Sequence, residues 1–182
     1  MLAQDAPLPA DLERFLAAGE PPVYLGFGSM RGAEGAASLM IEAARSLGRR
    51  IVVSEGWGSL IPAEARDDCL AIGEVNHAAL FPRVGVVVHH GGAGTTHTAA
   101  SAGVPQVIIP HHYDQPYWAR RVSALGIGVT GPAREQLRRE NFESALRVAL
   151  KPDAGLRAQE IATRIDRQGA ARSAQHLLRL LA

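Results

Sequence analysis

Between Val84 and Thr96 the chain reads VGVVVHHGGAGTT. An apolar run gives way to two histidines, a glycine-rich turn and a Thr-Thr pair that opens a helix-like segment. Gly91, Gly92 and Gly94, with Ala93 between them, leave the backbone open to close approach by another group. A helix starting here aims N–H groups without intrahelical acceptors, and a partial positive charge, at whatever sits over the turn. That chemistry suits an anion, phosphate above all. The hydroxyls of Thr95 and Thr96 either donate to such an anion or cap the helix. His89, at the strand exit, has two readings: a donor to a phosphate oxygen, or a buried imidazole bonded to backbone. Alternation along a strand turns His90 the other way, which favours a structural role for it.

Other residue groups extend the pattern. Gly26, Gly28 and Ser29 form a second small-residue turn after an apolar run, and Ser29 offers another hydroxyl to a phosphate or is an ordinary turn serine. Asp114 and Gln115 place an acceptor beside an amide, which suits vicinal sugar hydroxyls; an N-cap role for Asp114 is compatible with that. Trp57, flanked by Gly56 and Gly58, either stacks on a base or sugar or anchors its loop. The turn is neither GxGxxG in the dinucleotide register nor a Walker loop. No Ser/His/Asp set, CxxC, HExxH or DxD pattern is present, and Asp67-Asp68 lacks the spacer. His89, His90, His111 and His112 do not have metal-ligand spacing. A diphosphate bound here is therefore expected to be stabilised by hydroxyls, amides and the helix dipole, with no metal.

These loops need elements to hold them. Val23–Phe27, Arg50–Ser54, Leu70–Ile72, Val84–Val88, Gln106–Ile109 and Gly128–Thr130 read as strands, most of them apolar enough to be buried on both faces. Between them lie helical segments: Leu8–Gly19, Ala33–Leu47 with its i, i+3, i+4, i+7 apolar spacing, His77–Phe81, Gly94–Ala102 and a helix from about Gln115 to Leu125. Arg138–Leu181 reads as helices broken near Pro152 and Gly169. Strands alternating with helices predict an α/β domain: a Rossmann-like parallel sheet of about six strands, covered on both faces, with a helical tail. Ligands of such sheets lie beyond the strands' C-terminal ends. All the loops singled out follow strands, so they gather on one edge.

The 182 residues suit one well-filled domain. A hydrophobic fraction of 47% and a net charge of +1 fit a soluble globular chain and argue against nucleic acid as the main partner. No apolar run is long enough to span a bilayer. The first residues lack the pattern of a secretory signal, and Cys69 has no second cysteine to pair with. A cytoplasmic location is the expectation.

Three stretches, PPVYLGFGSM, IGEVNHAALFPRVGVVVHHGGAGTTHTAASAGVPQVIIP and DQPYWARRVSALGIGV, together resemble the C-terminal half of family 1 glycosyltransferases of the GT-B fold. The likeness is to bacterial enzymes of glycopeptide-antibiotic type, with macrolide and sterol glycosylating enzymes nearby. It covers about Pro7 to Val129 and extends plausibly through the helical tail. The resemblance implies that residues 1–182 form the nucleotide-sugar (donor) domain, and that an N-terminal acceptor domain is absent from this chain. Family enzymes are roughly twice this length, as two domains require.

By position, the resemblance assigns His89 and the loop Gly91, Gly92, Ala93, Gly94 and Thr95 to the diphosphate, with Ser29 reaching the same phosphates. It assigns Asp114 and Gln115 to sugar hydroxyls, and Val75 and Asn76 to the base. Two departures stand out. The tryptophan that plant members place near Glu74 is missing, with Trp57 as a substitute. His97 stands where they place a ribose-binding glutamate, which favours thymidine over uridine as the nucleoside. The implied reaction is inverting, metal-independent transfer from a dTDP- or UDP-sugar to a hydroxyl of a natural-product or lipid acceptor, with no cofactor. The family's catalytic base belongs to the missing half, so this chain is expected to contain no catalytic residue. Two rival readings remain: a non-catalytic nucleotide-sugar binding module, and a sugar-nucleotide epimerase with its own acid–base groups.

Overall fold

The computed structural model describes residues 7–27, 36–55, 66–166 and 168–181. Six strands form one sheet: β1 (Val23–Gly26), β2 (Ile51–Ser54), β3 (Cys69–Ile72), β4 (Val86–His89), β5 (Gln106–Ile108) and β6 (Gly128–Thr130). Their spatial order is β3-β2-β1-β4-β5-β6, and every neighbouring pair is parallel. Parallel neighbours need crossovers, and helices supply them. They are α1 (Ala10–Ala17), α2 (Ala36–Ser46), the single turn α3 (His77–Leu80), α4 (Ala93–Ser101), α5 (Gln115–Ala124), α6 (Arg139–Ala149), α7 (Pro152–Thr163) and α8 (Gly169–Leu180). Short 3-10 turns at Phe81–Arg83 and Arg134–Gln136 complete the path.

The period-2 alternation of the strands divides the core into two faces. Val23, Leu25, Ile51, Val53, Val86, Val88 and Val107 face one way, under α2 and α6. Tyr24, Val52, Ile72 and Val87 face the other, under α1, α3 and α4, and Ile108 joins α5 and α7 beside them. The expected fold class therefore stands: a parallel α/β sheet, helices on both faces and a helical tail. α8, in contrast, buries none of its residues among the described elements.

Two details position the site. Pro82 lies in the 3-10 turn before β4, and the Val84 N–H still bonds back to Phe81. The strand therefore starts at Val86, and it ends one residue past the expected limit. His89 is inside the ladder, paired with Gly26 and Ile108. On β1 the Tyr24 ring folds over Gly26, where any Cβ would land inside the ring. The Tyr24 hydroxyl meets His77 Nε2 at 2.9 Å, and its ring packs edge-on against Phe81. Burial pushes that hydroxyl's pKa up to about 12, so it stays protonated.

Candidate functional site

The strand order reverses direction between β1 and β4, and the crevice beyond their C-terminal ends is where open α/β sheets bind ligands. The β4–α4 turn sits there. Gly91 adopts φ +92°, a conformation that favours glycine, and a Cβ on it would lie 2.6 Å from Ile108 Cγ2. Gly92 is the N-cap residue of α4 and offers no side chain to the helix start. The first backbone bond of the helix runs from Thr96 N–H to Gly92 C=O at 3.0 Å. The amides of Ala93, Gly94 and Thr95 thus precede the ladder and have no intrahelical acceptor.

His89 lies behind this opening, inside the ladder of β4. It is fully buried. Its Nδ1 accepts the Gly91 N–H at 3.0 Å, so Nε2 carries the proton and donates to Gln106 Oε1 at 2.9 Å. Gln106 in turn donates from Nε2 to the Thr96 carbonyl at 3.3 Å. One buried chain therefore ties the glycine turn to β4, β5 and α4. Burial pushes the His89 pKa down to about 4, against a smaller opposing effect of the Gln106 bond. His89 is held neutral, with both ring nitrogens occupied. The alternative reading, a satisfied core histidine, describes it, except that its partners are a side-chain amide and a backbone N–H.

His90 is the residue that leans over the turn. A Cβ at Gly92 would lie 2.6 Å from His90 Nε2, so the imidazole lies against the N-cap of α4. Its Nδ1 is buried with no hydrogen-bond partner among the described residues. Burial lowers its pKa, and the Asp114 charge acts the other way.

The β5–α5 loop closes over the same edge, and here too neighbours part company. Gln115 is buried, and its Oε1 accepts the N–H groups of His111 at 2.7 Å and His112 at 3.0 Å. Its carbonyl oxygen is thus engaged within the loop. Asp114 is exposed at the N-cap position of α5 but makes no side-chain cap. Its Oδ2 instead accepts the Trp118 indole N–H at 2.7 Å. Sequence reasoning missed Trp118. The spacing Asp114-to-Trp118 within one helical turn was the available signal.

The remaining expected residues scatter around this edge. Asn76 caps α3, accepting the Ala78 N–H at 3.0 Å, and Val75 packs on the core face beneath it. His97 is exposed on α4 with its ring edge-on to Trp118, 5.2 Å between centroids. Thr95 is half-buried in the first turn of α4, while Thr96 turns its hydroxyl back to Gly92 C=O. Gly28, Ser29 and Trp57 lie outside the described residues. No group of three or more His, Cys, Asp or Glu side chains among the described residues is placed to hold a metal ion. No described helix is long and apolar enough to cross a membrane.

A parallel sheet in this order, with an open helix start at its switch point, defines a Rossmann-like α/β domain. Residues 38–174 match the family described as "Erythromycin biosynthesis protein CIII-like, C-terminal domain". The chain belongs to that family, the C-terminal domains of family 1 glycosyltransferases. It is 49% identical over 179 residues to glycosyltransferase GtfE of Amycolatopsis orientalis, covering 97% of this chain and 43% of that protein. It is 48% identical over 180 residues to the vancomycin aglycone glucosyltransferase of the same organism, covering 98% and 44%. The crystal structure of CalG4, the calicheamicin glycosyltransferase, shares its fold, with a TM-score of 0.74 at 22% identity over 90% of this chain and 43% of that one. The chain spans less than half the length of the curated relatives it matches.

Proposed function

We propose that this chain is the donor-binding half of an inverting, metal-independent glycosyltransferase. It takes a dTDP- or UDP-sugar, with thymidine favoured. The acceptor hydroxyl, on a natural product or lipid, and the base that deprotonates it come from an N-terminal acceptor domain. The small-molecule acceptor attacks the anomeric carbon from the face opposite the diphosphate. The C–O bond to the diphosphate breaks, and negative charge grows on the leaving oxygens. Donors already aimed at that charge are a large catalytic term; removing one costs about 2.7–4 kcal/mol in a well-studied hydrolase.

The observation that carries this reading is the open N-terminus of α4 with the His90 imidazole lying against it, its Nε2 beside Gly92. An anion there meets the amides of Ala93, Gly94 and Thr95, the helix dipole and an imidazole donor. Thr95 and Ser29 add hydroxyls in the same reading. Asp114 takes a sugar hydroxyl, and Val75, Asn76, His97 and Trp57 are assigned to the nucleoside. His89 acts behind the amides, fixing their direction. The reaction is placed in the cytoplasm, where nucleotide sugars are made, and calls for no cofactor.

Calorimetry with dTDP, UDP and their glucose conjugates tests this directly. Binding is expected, tighter for thymidine. His90→Ala should weaken binding of the nucleoside diphosphate about tenfold, the loss of one charge-assisted bond. Failure of the wild-type chain to bind any of the four, or an unchanged affinity in the variant, rejects the site. The chain alone, given an acceptor, should turn over little or no donor.

A further inference from the structure

We infer that Trp118 is a positioning residue for sugar recognition, and that its indole N–H fixes the carboxylate of Asp114 in the orientation that meets the sugar. The inference rests on the reading of Asp114 as a sugar ligand and extends it to a residue that no comparison assigns. Asp114 is exposed, and its side chain does not cap the helix it precedes. A free aspartate in that setting samples several rotamers. Here one oxygen, Oδ2, is held by Trp118 Nε1 at 2.7 Å, four residues on. An indole is a donor only, so the bond has a single direction. Among the described residues no donor is placed on Oδ1, which is therefore the oxygen turned to an outside hydroxyl.

The indole is itself held. His97 of α4 meets it edge-on at 5.2 Å, and Tyr117 at 5.1 Å. Trp118 thus links the helix that opens the anion site to the helix that carries the sugar ligand. The aspartate is pre-set before ligand arrives, which lowers the ordering cost of binding. His97 supports the indole from the α4 side, a role separate from any contact with ribose.

The chain contains two tryptophans, so two indole N–H resonances report on the pair. In a nitrogen-15 correlation spectrum of the wild-type chain, the Trp118 resonance should move on adding the glucose conjugate of the tighter-binding nucleotide. The nucleoside diphosphate alone, which reaches the indole only through His97, should move it less. Asp114→Ala should move the same resonance without ligand; if it does not, the bond is not formed in solution and the inference falls. Calorimetry then separates the variants. Trp118→Phe keeps the ring and loses the donor. Trp118→Gln loses the ring and keeps an N–H within reach of a residue four positions back. Trp118→Phe should weaken the sugar nucleotide about tenfold relative to wild type, with the nucleoside diphosphate within about twofold. Trp118→Gln should retain more of the sugar affinity than Trp118→Phe. The reverse order, or no loss in Trp118→Phe while Asp114→Ala weakens the sugar nucleotide about tenfold, overturns the role of Trp118 and leaves Asp114 in place. No loss in Asp114→Ala overturns the sugar site itself, and the inference with it. Should Trp118→Phe fail to fold, the wild-type and Asp114→Ala spectra decide.

Discussion

The turns after β4 and after β5 cover the same edge of the sheet, and each contains a pair of adjacent polar residues. In each pair one member goes inward and the other outward. His89 is buried and bonded to Gly91 and Gln106, while His90 leans over the helix start with Nδ1 unpartnered among the described residues. Gln115 is buried and clamps the His111 and His112 amides, while Asp114 is exposed beside Trp118. The two turns differ in what the inward member can do. His89 is titratable and ties three elements together. Gln115 carries no charge and holds two amides of its own loop. Shape at this edge is set by one residue of each pair, and in the proposed function the chemistry belongs to its neighbour.

Breaking the inward members should separate the two turns, and the largest effect belongs to His89. His89→Ala removes a buried side chain and leaves the Gly91 amide and Gln106 Oε1 without partners, costing roughly 3–5 kcal/mol of unfolding free energy. Urea denaturation measures it; a loss under about 1 kcal/mol would mean the buried chain of bonds does not hold the turn.

Acid should come next, acting mainly through the buried His89 of the β4 turn. His89 has a folded pKa near 4, below its unfolded value of 6.5. As pH falls, the unfolded chain takes up the proton first. Its contribution is therefore intact above about 6.5 and is lost between there and about 4, at up to about 1.4 kcal/mol per pH unit. His77, His90 and His111 are shifted in the same direction by burial and add to the slope. A flat stability profile between pH 6.5 and 4.5 would contradict a neutral buried His89.

Gln115→Ala should do least. Two loop amides lose their acceptor beside solvent, at roughly 1–2 kcal/mol. Because the loop carries Asp114, sugar selectivity should fall more than nucleotide affinity. A variant that loses both equally would show that the β5 loop also shapes the β4 turn.

The alternation of apolar runs and helical spacing made all six strands and the tail helices legible, with bounds shifted by a residue or two. What the pattern did not contain was the face on which each histidine ends. Expecting β4 to stop at Val88 left His89 at an exit, free to turn toward a ligand. The ladder carries it one residue further, onto the side of Val87 and Gln106, and a one-residue slip changes faces. Asp114 and Gln115 show the same limit. Which of two neighbours turns inward depends on where the loop amides of His111 and His112 fall, and no spacing along the chain encodes that. Trp118 was within reach, since a donor four residues after an aspartate on a helix is a recognisable pair.

The covering of Gly26 by the Tyr24 ring has an evolutionary consequence. Position 26 can acquire a side chain only in a lineage where position 24 has already given up its phenol, because both occupy one volume. Relatives should therefore show the two sites exchanging bulk in step, small at 26 with large at 24 or the converse. When tyrosine is the one lost, the imidazole at position 77 loses its hydroxyl partner as well, so a third site should drift with them.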